Sequence, residues 1–160
     1  MRRRKLLLAD SSSLIALDRM ERFSDVRGRP ILITRAAKTE VVDDAIAVDP
    51  DSPVYAELVA SASRFRYRIE TGDIRILDLD YTRYGQVVDR ARNRLAKLEG
   101  SREDETPKAD AEIAGAIAQL FGERRTFDVL CDDKTLVEEV LRRMFPKVTF
   151  LRSNDLRECG

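Results

Sequence analysis

The residues in this sequence that could do chemistry are acidic: Asp10, Glu40, Asp110 and the pair Asp132–Asp133. Asp10 directly follows the short apolar run Lys5–Ala9, and Asp132–Asp133 directly follows Phe127–Cys131. Glu40 lies in a helical stretch behind a further apolar run, and Asp110 lies in the first turn of the helix leading to Phe127. Carboxylates gathered at one place repel one another, and a hard divalent cation is the natural compensation. Mg²⁺ and Mn²⁺ prefer oxygen ligands and need only one or two direct carboxylates, with water filling the remaining positions. Such an ion lowers the pKa of bound water and stabilises charge growing on a phosphate. The set therefore suits metal-assisted hydrolysis of a phosphodiester. Singly, each acid also has an ordinary role. Asp10 can cap a helix, Glu40 can be an exposed helix acid, Asp110 can favour a helix dipole, and Asp132–Asp133 can form a turn and an N-cap. Together they gain weight, because Asp10 and the Asp132–Asp133 pair share one edge of the expected sheet.

What the sequence lacks narrows the chemistry further. It contains no histidine, which removes His-dependent triads, Cys/His nucleophiles and imidazole zinc sites. The two cysteines, Cys131 and Cys159, have no metal-binding spacing, and a disulfide between them would be unusual in a reducing compartment. Twenty-nine basic and 29 acidic residues give zero net charge, so no global attraction to nucleic acid follows. The basic residues are nevertheless clustered, at Arg64/Arg66/Arg68, Arg83/Arg90/Arg92/Arg94 and Arg124/Arg125. Solvated helix faces account for such clusters as readily as binding surfaces do.

The positioning elements follow from the spacing of apolar residues. Lys5–Ala9, Pro30–Ile33, Ile74–Leu79, Phe127–Cys131 and Val148–Leu151 read as strands. Leu14–Met20 has helical spacing, and Thr34 is an N-cap for a helix running through Glu40 to about Asp44. Ser52–Pro53 and Thr106–Pro107 are pairs of cap and first-turn proline. They introduce helices over about Val54–Ile69 and Pro107–Gly122. A long amphipathic helix spans about Tyr81–Leu98, and a last one spans Thr135–Met144. Strands alternating with helices imply an α/β fold, a three-layer sandwich around a five-stranded parallel sheet. With 160 residues of which 43% are apolar, residues 1–160 are expected to form one domain. No apolar run is long enough to span a membrane. The run behind Arg2–Arg4 stops at Asp10, too soon for a signal peptide, so a cytoplasmic protein is expected.

Taken in order, Asp10-Ser11-Ser12-Ser13-Leu14-Ile15, the helical Glu40, Ala109-Asp110-Ala111-Glu112-Ile113-Ala114 and Val129-Leu130-Cys131-Asp132-Asp133 resemble the PIN-domain nucleases. The likeness covers essentially the whole chain. Each motif is short, and the specificity lies in order, spacing and strand context. The resemblance implies acids around Mg²⁺ or Mn²⁺, with Asp10, Glu40, Asp110 and Asp133 catalytic, Asp132 as an alternative ligand and Ser12 steadying Asp10. Cys131 stands where that family commonly has Thr. Glu112, two residues beyond Asp110 and about 200° around the helix, is expected to face elsewhere. The implied activity is that of a ribonuclease, such as the toxin of a toxin–antitoxin pair. The implied partners are RNA, an antitoxin protein and a second copy of the chain. The helices between Pro53 and Leu98 are candidates for a dimer face, an RNA clamp or an antitoxin groove.

Other readings remain open at this point. A nuclease fold can serve as an RNA- or protein-binding module without turnover. A receiver-like domain needs an acidic pair after the first strand, and a haloacid-dehalogenase-like phosphatase needs Asp-any-Asp there. Asp10-Ser11-Ser12 fits neither.

Overall fold

The computed structural model describes residues 5–26, 28–47, 55–100, 102 and 108–157. β1 (Leu6–Ala9) is four apolar residues, all buried, as expected of a parallel strand covered on both faces. β2 (Ile31–Thr34), β3 (Ile74–Leu77), β4 (Phe127–Leu130) and β5 (Phe150–Leu151) join it in one sheet. The strand order is β3-β2-β1-β4-β5 and every pairing is parallel. Side chains alternate along a strand. Leu6 and Leu8 therefore enter the core on one face of the sheet, while Leu7 and Ala9 enter the core on the other.

Both faces are covered by helices, which makes three layers. On one side lie α1 (Ser11–Arg19), α2 (Arg35–Lys38) and α4 (Ala56–Glu70), contributing Leu14, Leu17, Ala37 and Phe65 to that core. α2 runs on through a π-helical turn (Thr39–Asp43) into α3 (Asp44–Ala47). On the other side lie α5 (Tyr81–Glu99) and α6 (Lys108–Gly122), contributing Val88, Ala91, Leu95, Ile113, Ile117 and Leu120. α7 (Lys134–Leu136) continues through a second π-helical turn (Val137–Leu141) into α8 (Arg142–Met144).

The α/β sandwich with five parallel strands is the one expected from the sequence, and the differences lie at element ends. β3 stops at Leu77 because Asp78 and Asp80 turn outward to pair and to cap. β5 is only Phe150–Leu151, although Val148 before it is buried. α1 begins earlier than Leu14, since Asp10 caps it from the strand end. The two π-helical turns carry no periodicity signal of their own. The Ser52–Pro53 and Thr106–Pro107 pairs, the turn around Pro50, Arg2–Arg4 and Cys159 lie outside the described residues. Cys131 is a buried free thiol.

α5 and α6 pack antiparallel and close. A Cβ built on Gly115 of α6 would stand 2.5 Å from Val88 Cγ2 and 3.0 Å from Leu79 Cδ2, and one on Gly122 would strike the Tyr84 hydroxyl. The buried Gln119 ties α6 to the end of β3: its Oε1 accepts from Asp80 N (2.7 Å) and its Nε2 donates to Asp78 O (2.9 Å). Gly115→Val is expected to destabilise the fold by about 1–3 kcal/mol through overpacking. Urea denaturation checks this, and an unchanged midpoint would show that α5 can shift at no cost.

Candidate metal centre

The strand order reverses at β1, whose neighbours are β2 on one side and β4 on the other. In open parallel sheets, ligands bind outside the carboxyl ends of the strands at such a switch point. β1 and β4 end in register, Ala9 beside Leu130, and Asp10 N donates to Leu130 O at 3.1 Å. Asp10 therefore leaves the sheet next to the segment carrying Cys131, Asp132 and Asp133.

Asp10 is nearly buried and its carboxylate is held from three directions. Oδ1 accepts from Ser13 N (2.9 Å), and Oδ2 accepts from Ser12 Oγ (2.9 Å) and from the Cys131 thiol (3.3 Å). Ser12 thus steadies Asp10 directly. Burial, then the neighbouring Asp10 charge, pushes the Cys131 thiol far above its ordinary pKa, so it stays protonated and acts as a donor. Glu40 sits on the π-helical turn, where Ser11 Oγ donates to its Oε2 at 2.8 Å. π-turns inside helices recur at functional sites because they re-aim side chains.

Asp110, in the first turn of α6, completes the arrangement. Its pKa is pushed up to about 6, first by burial and then by the charges of Asp133, Glu40, Asp10 and Glu99. Asp133 caps α7 with Oδ1 accepting from Leu136 N (3.0 Å), and its Oδ2 takes no hydrogen bond from a described residue. Asp10, Glu40, Asp110 and Asp133 are therefore within electrostatic reach of one another. Asp132 has partners of its own. Its two oxygens accept from Ser153 N and Ser153 Oγ, both at 2.7 Å, and so tie the end of β4 to the segment after β5.

Glu112 is bound between α5 and α2. It is 2% exposed, accepts from the Tyr81 hydroxyl at 2.6 Å, and receives the Ala36 N–H at 3.4 Å. Burial and that bond hold the Tyr81 phenol above its ordinary pKa. Sequence reasoning missed Ser11, Ser13 and the thiol bond of Cys131. The run of serines after Asp10 signalled the first two as helix-start residues, but nothing local signals a bond from Ser11 to Glu40, 29 residues away.

The model of the Halobacterial PIN domain matches this chain over residues 3–150. The chain belongs to the PIN-domain family. PIN domains are generally nucleases, hydrolases that typically use divalent metal ions. None of the curated proteins compared with it matches.

The donor set of this PIN domain fits such an ion in kind. All four acids offer hard oxygens, and Asp110 carries the electrostatic cost of their proximity. Among the described residues, no three His, Cys, Asp or Glu side chains already stand close enough to hold one ion together. Partial hydration, with one or two direct carboxylates, is the coordination Mg²⁺ accepts most readily.

The raised pKa of Asp110 has a definite sign in stability. The folded state holds this proton more tightly than the unfolded chain, so the stabilisation is full below pH 4 and is lost as pH rises through about 6. Denaturation in EDTA should show this fall between pH 4 and 6, and Asp110→Asn should flatten it. A slope unchanged in that variant would place the titration elsewhere.

Proposed function

We propose that this PIN domain is a metal-dependent endoribonuclease, with Asp10, Glu40, Asp110 and Asp133 as catalytic acids that hold Mg²⁺ or Mn²⁺. The observation that carries this reading is the half-buried Asp110, raised to about 6 by burial and by the charges of Asp133, Glu40, Asp10 and Glu99. A fold that brings like charges together at its ligand-binding edge gains from a cation there.

Bound at this site, the ion would activate water and stabilise charge on the phosphate. The chain's own residues prepare the place. Ser12, Ser13 N and the Cys131 thiol fix Asp10, and a carboxylate so bonded still has lone pairs to offer. Ser11 steadies Glu40, and the Leu136 N–H orients Asp133 while leaving one oxygen open. Cys131 donates where related chains would use a threonine hydroxyl, so the family's departure at this position keeps a donor to Asp10. Asp132 serves the scaffold in this reading and binds no ion.

The substrate class follows from the family likeness and from the basic side chains available to hold a phosphate backbone. In a toxin–antitoxin pair, the inhibitory partner would present a basic side chain to these carboxylates. A second copy of the chain is the other expected partner.

Asp10→Asn should lower Mn²⁺-dependent cleavage of single-stranded RNA by about a thousandfold, ~4 kcal/mol of transition-state stabilisation, with the circular dichroism spectrum unchanged. Asp132→Asn should keep cleavage within about tenfold while lowering the melting temperature. Undiminished cleavage by Asp10→Asn would remove that residue from the mechanism. Metal binding and RNA binding without cleavage would make the domain a binding module.

A further inference from the structure

α5 carries a stripe of basic residues that the fold does not use. Arg83, Arg90, Arg94 and Lys97 are all exposed. Their spacings of seven, four and three residues keep them on one side of a helix with 3.6 residues per turn. The buried residues of this helix, Val88, Ala91, Leu95 and Ala96, centre on the opposite side. Fourteen residues at 1.5 Å each make the stripe about 21 Å long.

These four cations have no acidic partner among the described residues. Most arginines on other helices do. Arg64 pairs with Asp18 (2.7 Å), Arg66 with Glu70 (3.6 Å), Arg142 with Glu138 (3.3 Å) and Arg143 with Glu139 (3.1 Å). The arginines of α8 thus have acids four residues before them, the spacing that neutralises a solvated helix face. α5 has Gln86 and Arg90 where such acids would stand for Arg90 and Arg94, and Asn93 for Lys97. Lining up like charges without partners costs stability, and a polyanion relieves that cost.

The stripe also leads to the right place. α5 runs antiparallel to α6, with Tyr84 against Gly122 and Val88 against Gly115. Its carboxyl end therefore approaches the first turn of α6, where Asp110 lies, and the charge of Glu99 acts on Asp110.

We propose that this face of α5 is the track for the phosphate backbone of a single RNA strand leading to the carboxylate cluster. The track rests on the ribonuclease reading for the identity of its polyanion. Guanidinium groups bind phosphate oxygens through paired N–H donors. A stripe of cations reads backbone charge and not base sequence.

The test is RNA binding by the Asp10→Asn protein, which leaves the strand uncut, measured by fluorescence anisotropy with a 20-nucleotide oligouridylate across salt concentrations. Four phosphate contacts on a single strand predict a slope of log K against log salt near −2.8, about −0.7 per contact. Adding Arg90→Gln and Arg94→Gln should reduce the slope by about 1.4 and weaken binding at least about tenfold at low salt. Adding Arg142→Gln and Arg143→Gln removes the same charge from α8 and should change affinity less than about twofold. Equal losses in the two double variants, or none in the α5 variant, would overturn the track. If the unsubstituted protein still cleaves RNA in that event, the ribonuclease reading stands without it. A protein that neither binds nor cleaves the RNA, yet binds polyglutamate through Arg90 and Arg94, would overturn both and make the face a docking site for an acidic protein.

Discussion

Repulsion between carboxylates is the constraint on which most of this structure depends. Asp10, Glu40, Asp110 and Asp133 arrive from four separate segments, and the fold must bring the first, second and fourth near enough to Asp110 for their charges to act on it. A sheet buried on both faces supplies the rigidity. β1 and β4 end in register, so the backbone itself fixes the relation of Asp10 to the Cys131–Asp133 segment. The two remaining acids come in on helices, one from each covering layer. Removing apolar contact from either layer would let the acids separate, since their mutual interaction opposes assembly.

Helix starts provide the local compensation. Asp10 and Asp133 are each N-caps, so backbone N–H groups point at their carboxylates, and Asp110 lies in a first turn. The N-terminal end of a helix favours negative charge. The ordinary structural role of each acid and its possible chemical role are therefore the same geometry. The strand order brings two of these caps, Asp10 and Asp133, to neighbouring strand ends. Asp80 shows the contrast: it caps α5 in the same way, but from β3 at the sheet edge, where its company is Gln119 and not other acids.

That overlap explains what was legible in the sequence. The apolar runs had to become buried strands, and Asp10 and Asp133 could be placed because they follow those runs directly. Thr34 was readable as a cap for the same reason, and it accepts from Ala37 N as a cap should. What sets Asp132 apart from Asp133 is Ser153, which lies twenty-one residues beyond Asp132 and binds both of its oxygens. Glu40 could be assigned to a helix but not aimed, since its direction depends on a π-helical turn and on Ser11. Glu112 was readable as a helix residue two positions beyond Asp110, but its burial against Tyr81 depends on how α5 meets α6. Local pattern reached the elements and their ends. Contacts across the chain decided which acids meet.

Zero net charge conceals a strong division of charge. On α4 and α8 the arginines are matched by acids a turn away or by Asp18, whose carboxyl is held below its ordinary pKa against burial by Arg64 and Ser61. Those pairs cancel locally and create little field at a distance. The exposed cations Arg83, Arg90, Arg94 and Lys97 of α5 carry no such pair among the described residues, and they do not pair with the acids around Asp110. Direct pairing would require α5 to fold its exposed face inward, which burial of Val88, Ala91 and Leu95 on the other side prevents. The core of α5 thus keeps its cations on the outer face of the helix, apart from the acids around Asp110.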